Sequence, residues 1–104
     1  TGLNTIDLSN NDSLVQALIV GSQLISLDFS NNFMIENIWL DNNPNLTCLN
    51  LKNGNNQNIN HLQLVNCNNL SCIEVDDPNL ASINFGSSFD GSFSNNCNYP
   101  TSCF

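Results

Sequence analysis

The side chains best suited to chemistry in this chain are few and set well apart. Cysteines stand at Cys48, Cys67, Cys72, Cys97 and Cys103, the single histidine is His61, and nine Asp and Glu accompany one Lys. Zinc wants closely spaced Cys and His ligands; no C-x-x-C occurs and only one His is present, so the pattern points away from a metal centre. No nucleophile–base motif surrounds His61. The adjacent carboxylates Asp76 and Asp77 point apart in an extended chain and make a poor acid–base pair. The sequence therefore predicts a protein that is not an enzyme. Five cysteines in 104 residues without metal spacing point instead to disulfides and an oxidising compartment.

Charge narrows the partners. The formal net charge is −8 and Lys52 is the only basic side chain besides His61. A nucleic-acid binder needs Lys and Arg to release counterions, so nucleic acid is excluded as a partner, and an anionic membrane surface is disfavoured. No apolar run is long enough to span a bilayer, which predicts no membrane insertion. The chain opens on "TGLNTIDLSNN", already inside a pattern, as it would after removal of a leader.

That pattern must position every other group. On the template L-x-x-L-x-L-x-x-N, eight segments align, beginning at Leu3, Leu14, Leu24, Ile35, Leu46, Ile59, Leu70 and Leu80. Successive starts are 11, 10, 11, 11, 13, 11 and 10 residues apart, and the long step carries the extra "NGNNQN" of 53–58. Each L-x-L has period two and reads as a short strand. The Asn-rich runs between strands read as turns, because Asn tolerates left-handed backbone angles. Two half-repeats make one coil, within the range of leucine-rich repeats. The expectation is a mainly β leucine-rich-repeat solenoid of about four 21-residue coils. It has two short parallel sheets over residues 1–88 and an irregular C-terminal cap over 89–104. "NLTCLNL" at 45–51 and "NLSCIEV" at 69–75 then hold the same place in neighbouring coils.

The repeat resembles the bacterial IRREKO-type leucine-rich repeats, which alternate 10 and 11 residues. The run "NLTCLNLKNGNNQNI", then "NLSCIEVDD" and "SFSNNC", resembles the terminal repeats of leucine-rich surface proteins of Bacteroidetes, especially flavobacteria. The repeat resemblance spans residues 3–88 and is most specific over 45–97. It implies export by the type IX pathway to the cell surface, as one module of a longer chain with further domains. It implies a Cys72–Cys97 disulfide, which would tie the cap to the last coils, and O-glycosylation of Ser13 within "DSL". Closing that loop of 25 residues would add about 3.5 kcal/mol in the chain-entropy model. From the residues alone, Cys48 and Cys72 share outward positions on neighbouring strands, so a 48–72 bond is the other pairing. Cys67 falls where other half-repeats carry Asn and is expected to point inward. Cys103 stays unassigned.

Two outer faces remain. On one, Asp7, Asp28, Asn50 and Glu74 form a row. Carboxylate oxygens suit calcium, as do those of Asp76 and Asp77; the other reading is a solvated face and an Asx-Pro turn. On the other, Trp39 lies among Leu18, Val20, His61 and Val65, a patch of the kind that marks protein or glycan binding. Cover by a neighbouring domain or by the 89–104 tail is the structural reading of that patch. The functional expectation is a secreted, non-catalytic adhesion or binding module. A passive spacer, or an accessory domain of an exported hydrolase, is the alternative.

Overall fold

The computed structural model describes residues 5–104; Leu3, the start of the first segment, lies outside them. Among the described residues seven strands of three residues each form, all built the same way: β1 Gln16–Leu18, β2 Ser26–Asp28, β3 Asn37–Trp39, β4 Cys48–Asn50, β5 His61–Gln63, β6 Cys72–Glu74 and β7 Ser92–Ser94. The central residue of each points inward, because side chains alternate along a strand. Ala17, Leu27, Ile38, Leu49, Leu62 and Ile73 are buried in this way. Each fully buried Leu or Ile contributes about 1.5–3 kcal/mol.

Successive strands alternate between two sheets up to β6, β7 then joins β6 in the same sheet, and all pairs are parallel. One sheet has the order β1-β3-β5, the other β2-β4-β6-β7. Gln16 faces Asn37, which faces His61; Ser26 faces Cys48; Cys72 faces Ser92. The inward side chains of both sheets merge in a single core with Phe29, Ile35, Leu40 and Leu46.

The connecting turns are held from inside by asparagine. Asn43 is fully buried; its amide donates to the carbonyls of Ile19 (2.8 Å) and Leu40 (2.7 Å), and its oxygen accepts from the Ser22 amide (3.0 Å). Asn32 donates to the carbonyls of Leu8 and Asn11, and Asn53 to that of Asn32. Short amide side chains thus satisfy turn carbonyls that no strand reaches. The turn position shared by Gly21, Asn42 and Asn66 is left-handed each time, with φ of 69°, 60° and 62°, a conformation open to Gly and Asn and costly for others.

The fold expected from the repeats needs correction. The chain is a small α/β fold, not a mainly β solenoid. The radius of gyration is 12.4 Å and the extents are 37 × 29 × 24 Å, close to the roughly 13 Å of a compact globule this long. Residues 5–8 form no strand, and Ile6 is exposed. The eighth segment is a helix, α1 Pro78–Phe85, and not a strand. Asp77 caps it, accepting from the amides of Asn79 (3.0 Å) and Leu80 (3.3 Å), and Pro78 occupies the first turn. Cap and proline together start helices. Of the template's inward residues in this segment Phe85 stays buried, while Ala81 turns inward in place of Leu80 and Ile83, which are exposed. The terminal segment is not irregular either: it carries β7, which extends the four-stranded sheet, and a 3-10 turn at Thr101–Cys103.

Candidate functional site

The two sheets differ in what covers their outer faces. Beyond β7 the chain doubles back across the four-stranded sheet. Cys97 is bonded to Cys72 and Cys103 to Cys48. The Tyr99 hydroxyl sits between β4 and β6, accepting from the Leu49 amide (3.2 Å) and donating to the Cys72 carbonyl. The Lys52 ammonium donates to the Asn95 carbonyl (3.0 Å). Burial of the Tyr99 phenol raises its pKa above the usual value. Cys48 consequently ends buried although it points outward. The tail thus covers the face opposite Trp39. Cys67 is the free cysteine among the described residues. It is buried in the column of Ser22 and Asn43, and its thiol donates to the Leu40 carbonyl (2.7 Å). Burial pushes that thiol's pKa up.

Of the acidic row, Asp28, Asn50 and Glu74 lie on the tail-covered sheet and Asp7 in the strandless segment before it, and all four serve local structure. Asp7 accepts from the Ser9 hydroxyl (2.6 Å) and amide (2.9 Å), which lowers its pKa. Asp28 accepts from the Ser30 amide, Asn50 from the Lys52 amide and Glu74 from the Cys97 amide (3.1 Å). Asp76 accepts from the Gly54 amide, and Asp77 is the helix cap. Among the described residues no group of three or more His, Cys, Asp and Glu is arranged to hold a metal ion. Ser13 is exposed in a turn.

The three-stranded sheet keeps its outer face open. Parity along β1, β3 and β5 builds a three-by-three grid on it. Gln16, Asn37 and His61 form one row and Leu18, Trp39 and Gln63 the next. Val20, Asp41 and Val65 follow where the pairing continues, with the Gly21 amide on the Asp41 carbonyl and the Asn42 amide on the Val65 carbonyl. Leu18 (71%), Val20 (51%) and Val65 (54%) are exposed, and Trp39 and His61 are half-buried. The indole and imidazole centroids lie 5.0 Å apart at 42°.

Polar groups beside the indole are already oriented. Asp41 accepts from the Gln63 amide nitrogen (2.6 Å) and from the Val65 amide (2.9 Å). The Gln63 carbonyl oxygen lies 3.3 Å from His61 Nε2. A line Asp41–Gln63–His61 therefore runs past Trp39 and locks the Gln63 amide plane. Sequence reasoning placed Trp39, His61, Leu18, Val20 and Val65 on one face, and the structure brings them together there. It passed over the pairing of Asp41 with Gln63, although both are outward by the same parity. An aromatic plate flanked by a fixed amide and an imidazole can stack on a ligand and hydrogen-bond to it; it contains no nucleophile activated by a base.

Compared with known proteins, the chain matches no family model, no curated protein and no solved structure. The two disulfides fit a compartment more oxidising than the cytoplasm. Among the described residues no helix is long and apolar enough to cross a membrane.

Proposed function

We propose that this chain is a non-catalytic binding module of an exported bacterial surface protein, and that it engages a protein or glycan through the outer face of its three-stranded sheet. The observation that carries this reading is the contrast between the two faces: one is closed by a twice-bonded tail, the other leaves Trp39 and its neighbours open. The disulfides support export. The resemblance of the repeats to leucine-rich surface proteins of Bacteroidetes supports placement at the outer-membrane surface by type IX secretion.

The test uses Trp39, the single tryptophan. Its emission and its quenching by acrylamide are measured while immobilised surface proteins and glycans are screened. Acrylamide is preferred to iodide, which a chain of net charge −8 repels. The expected result is partial quenching that a bound partner suppresses, with binding lost in Trp39→Ala. Binding that Trp39→Ala leaves intact would move the site elsewhere. No partner across the screen would favour the passive spacer, or the accessory role in a longer hydrolase.

A further inference from the structure

The open face is small, nearly uncharged and oriented in advance, and these properties narrow its ligand. Two interstrand steps and four residues of rise give a grid of roughly 10 by 13 Å, or about 130 Å². A stable protein interface needs roughly 800 Å² from each partner. One or two sugar rings fit the smaller area. Asp41 is the only carboxylate of the grid, and both its oxygens already accept hydrogen bonds. No cation stands on the grid to hold an anionic ligand, and the chain's charge of −8 repels one.

The remaining groups suit a neutral hydroxylated ring. The indole of Trp39 is half-buried, with the His61 ring centroid 5.0 Å away and Leu18 beside it in register, so part of the ring is open to a ligand. A pyranose with equatorial hydroxyls presents C–H groups that an open aromatic surface can bury. The Gln63 amide directs one N–H at Asp41 and keeps a second for the ligand. His61, with its Nε2 proton on Gln63, offers Nδ1 as an acceptor. A sugar hydroxyl both donates and accepts, and meets both kinds of group here.

We infer that this face binds a neutral oligosaccharide, one pyranose ring stacked on Trp39 and its hydroxyls read by Gln63 and His61. The inference rests on the binding function proposed above and names its ligand class.

The experiment titrates the intact, oxidised chain with neutral hexasaccharides of glucose, N-acetylglucosamine, mannose and galactose. Hexagalacturonate serves as the anionic control and cytochrome c as a basic protein. Calorimetry and Trp39 emission are read together. At least one neutral hexasaccharide should bind and shift the emission, and hexagalacturonate should not. Trp39→Ala should weaken that binding by at least roughly tenfold and Gln63→Ala by about fivefold, with Trp39→Phe between wild type and Trp39→Ala. Sugar binding that survives both alanine variants overturns the inference. Silence from every neutral sugar overturns it too. If cytochrome c then protects Trp39, the binding face itself stands with a protein as its partner; if it does not, the sugar inference falls alone and the binding function is decided by the wider screen of surface proteins.

Discussion

Asn43 is where the turns are most exposed to a single change. Replacing it by Ala removes its side-chain bonds to the Ser22 amide and hydroxyl and to the carbonyls of Ile19, Leu40 and Asp41. The Leu40 carbonyl keeps the Cys67 thiol as a donor. The Ile19 carbonyl and the Ser22 amide lose their asparagine partner. A buried polar group left bare costs about 1–3 kcal/mol; the Ile19 carbonyl and the Ser22 amide are part-buried, so each falls at the low end and together they cost roughly 2 kcal/mol, with a small cavity added. The total stability of a domain this size is about 5–15 kcal/mol. Asn43→Asp should be at least as harmful, since it places oxygen lone pairs against the Ile19 and Leu40 carbonyls. The matched control is Asn45→Ala. Asn45 is exposed, makes a side-chain bond to Gln23 (3.0 Å), and should change stability by no more than about 0.5 kcal/mol. Urea unfolding of the oxidised proteins, followed by Trp39 emission and far-UV circular dichroism, gives both values by linear extrapolation. If Asn43→Ala comes within about 1 kcal/mol of Asn45→Ala, the buried asparagines do not hold the turns and the reasoning fails.

Three further outcomes test the remaining parts. Serine at Cys48 and Cys103 opens a separation of 55 residues, and serine at Cys72 and Cys97 one of 25. The chain-entropy model gives about 4 and 3.5 kcal/mol; because one loop encloses the other, urea midpoints of the four-serine variant should show less than the sum. Asp77→Ala should cost about 1 kcal/mol through loss of the α1 cap, read as reduced helical dichroism and a lower midpoint; an unchanged spectrum would remove the cap from the account of the fold. Tyr99 and Cys67 both have raised pKa values, so their stabilisation is present below the unfolded pKa and lost as pH rises through the folded one. Ordinary values are about 8.5 for Cys and 10 for Tyr, so urea midpoints should fall from roughly pH 9 upward. Tyr99→Phe with Cys67→Ser should flatten that fall, and an equal fall in the double variant would refute the assignment.

β1 to β6 were legible because a three-residue strand needs only one inward aliphatic with outward neighbours, a pattern that six of the eight repeat segments turn into a strand, whereas β7 carries no such pattern. Periodicity failed at 78–85 for a definite reason. Leu80 and Ile83 stand three apart, which suits a helix as well as the repeat template, and the deciding signal was local: Asp77 before Pro78. The row of Asp7, Asp28 and Asn50 was visible as a row, but its use in turns depended on the i+2 amides. The course of the tail was the least legible part, since Tyr99 and Cys103 act across 50 and 55 residues with no period to follow. Yet parity explains which sheet the tail chose. Cys48 and Cys72 occupy the first outward position of β4 and β6. The same position on β1, β3 and β5 holds Gln16, Asn37 and His61, none of which can form a disulfide. A tail carrying two cysteines can be pinned covalently to the four-stranded sheet alone. The cysteine parity that closes one face is therefore also what leaves Trp39 open on the other.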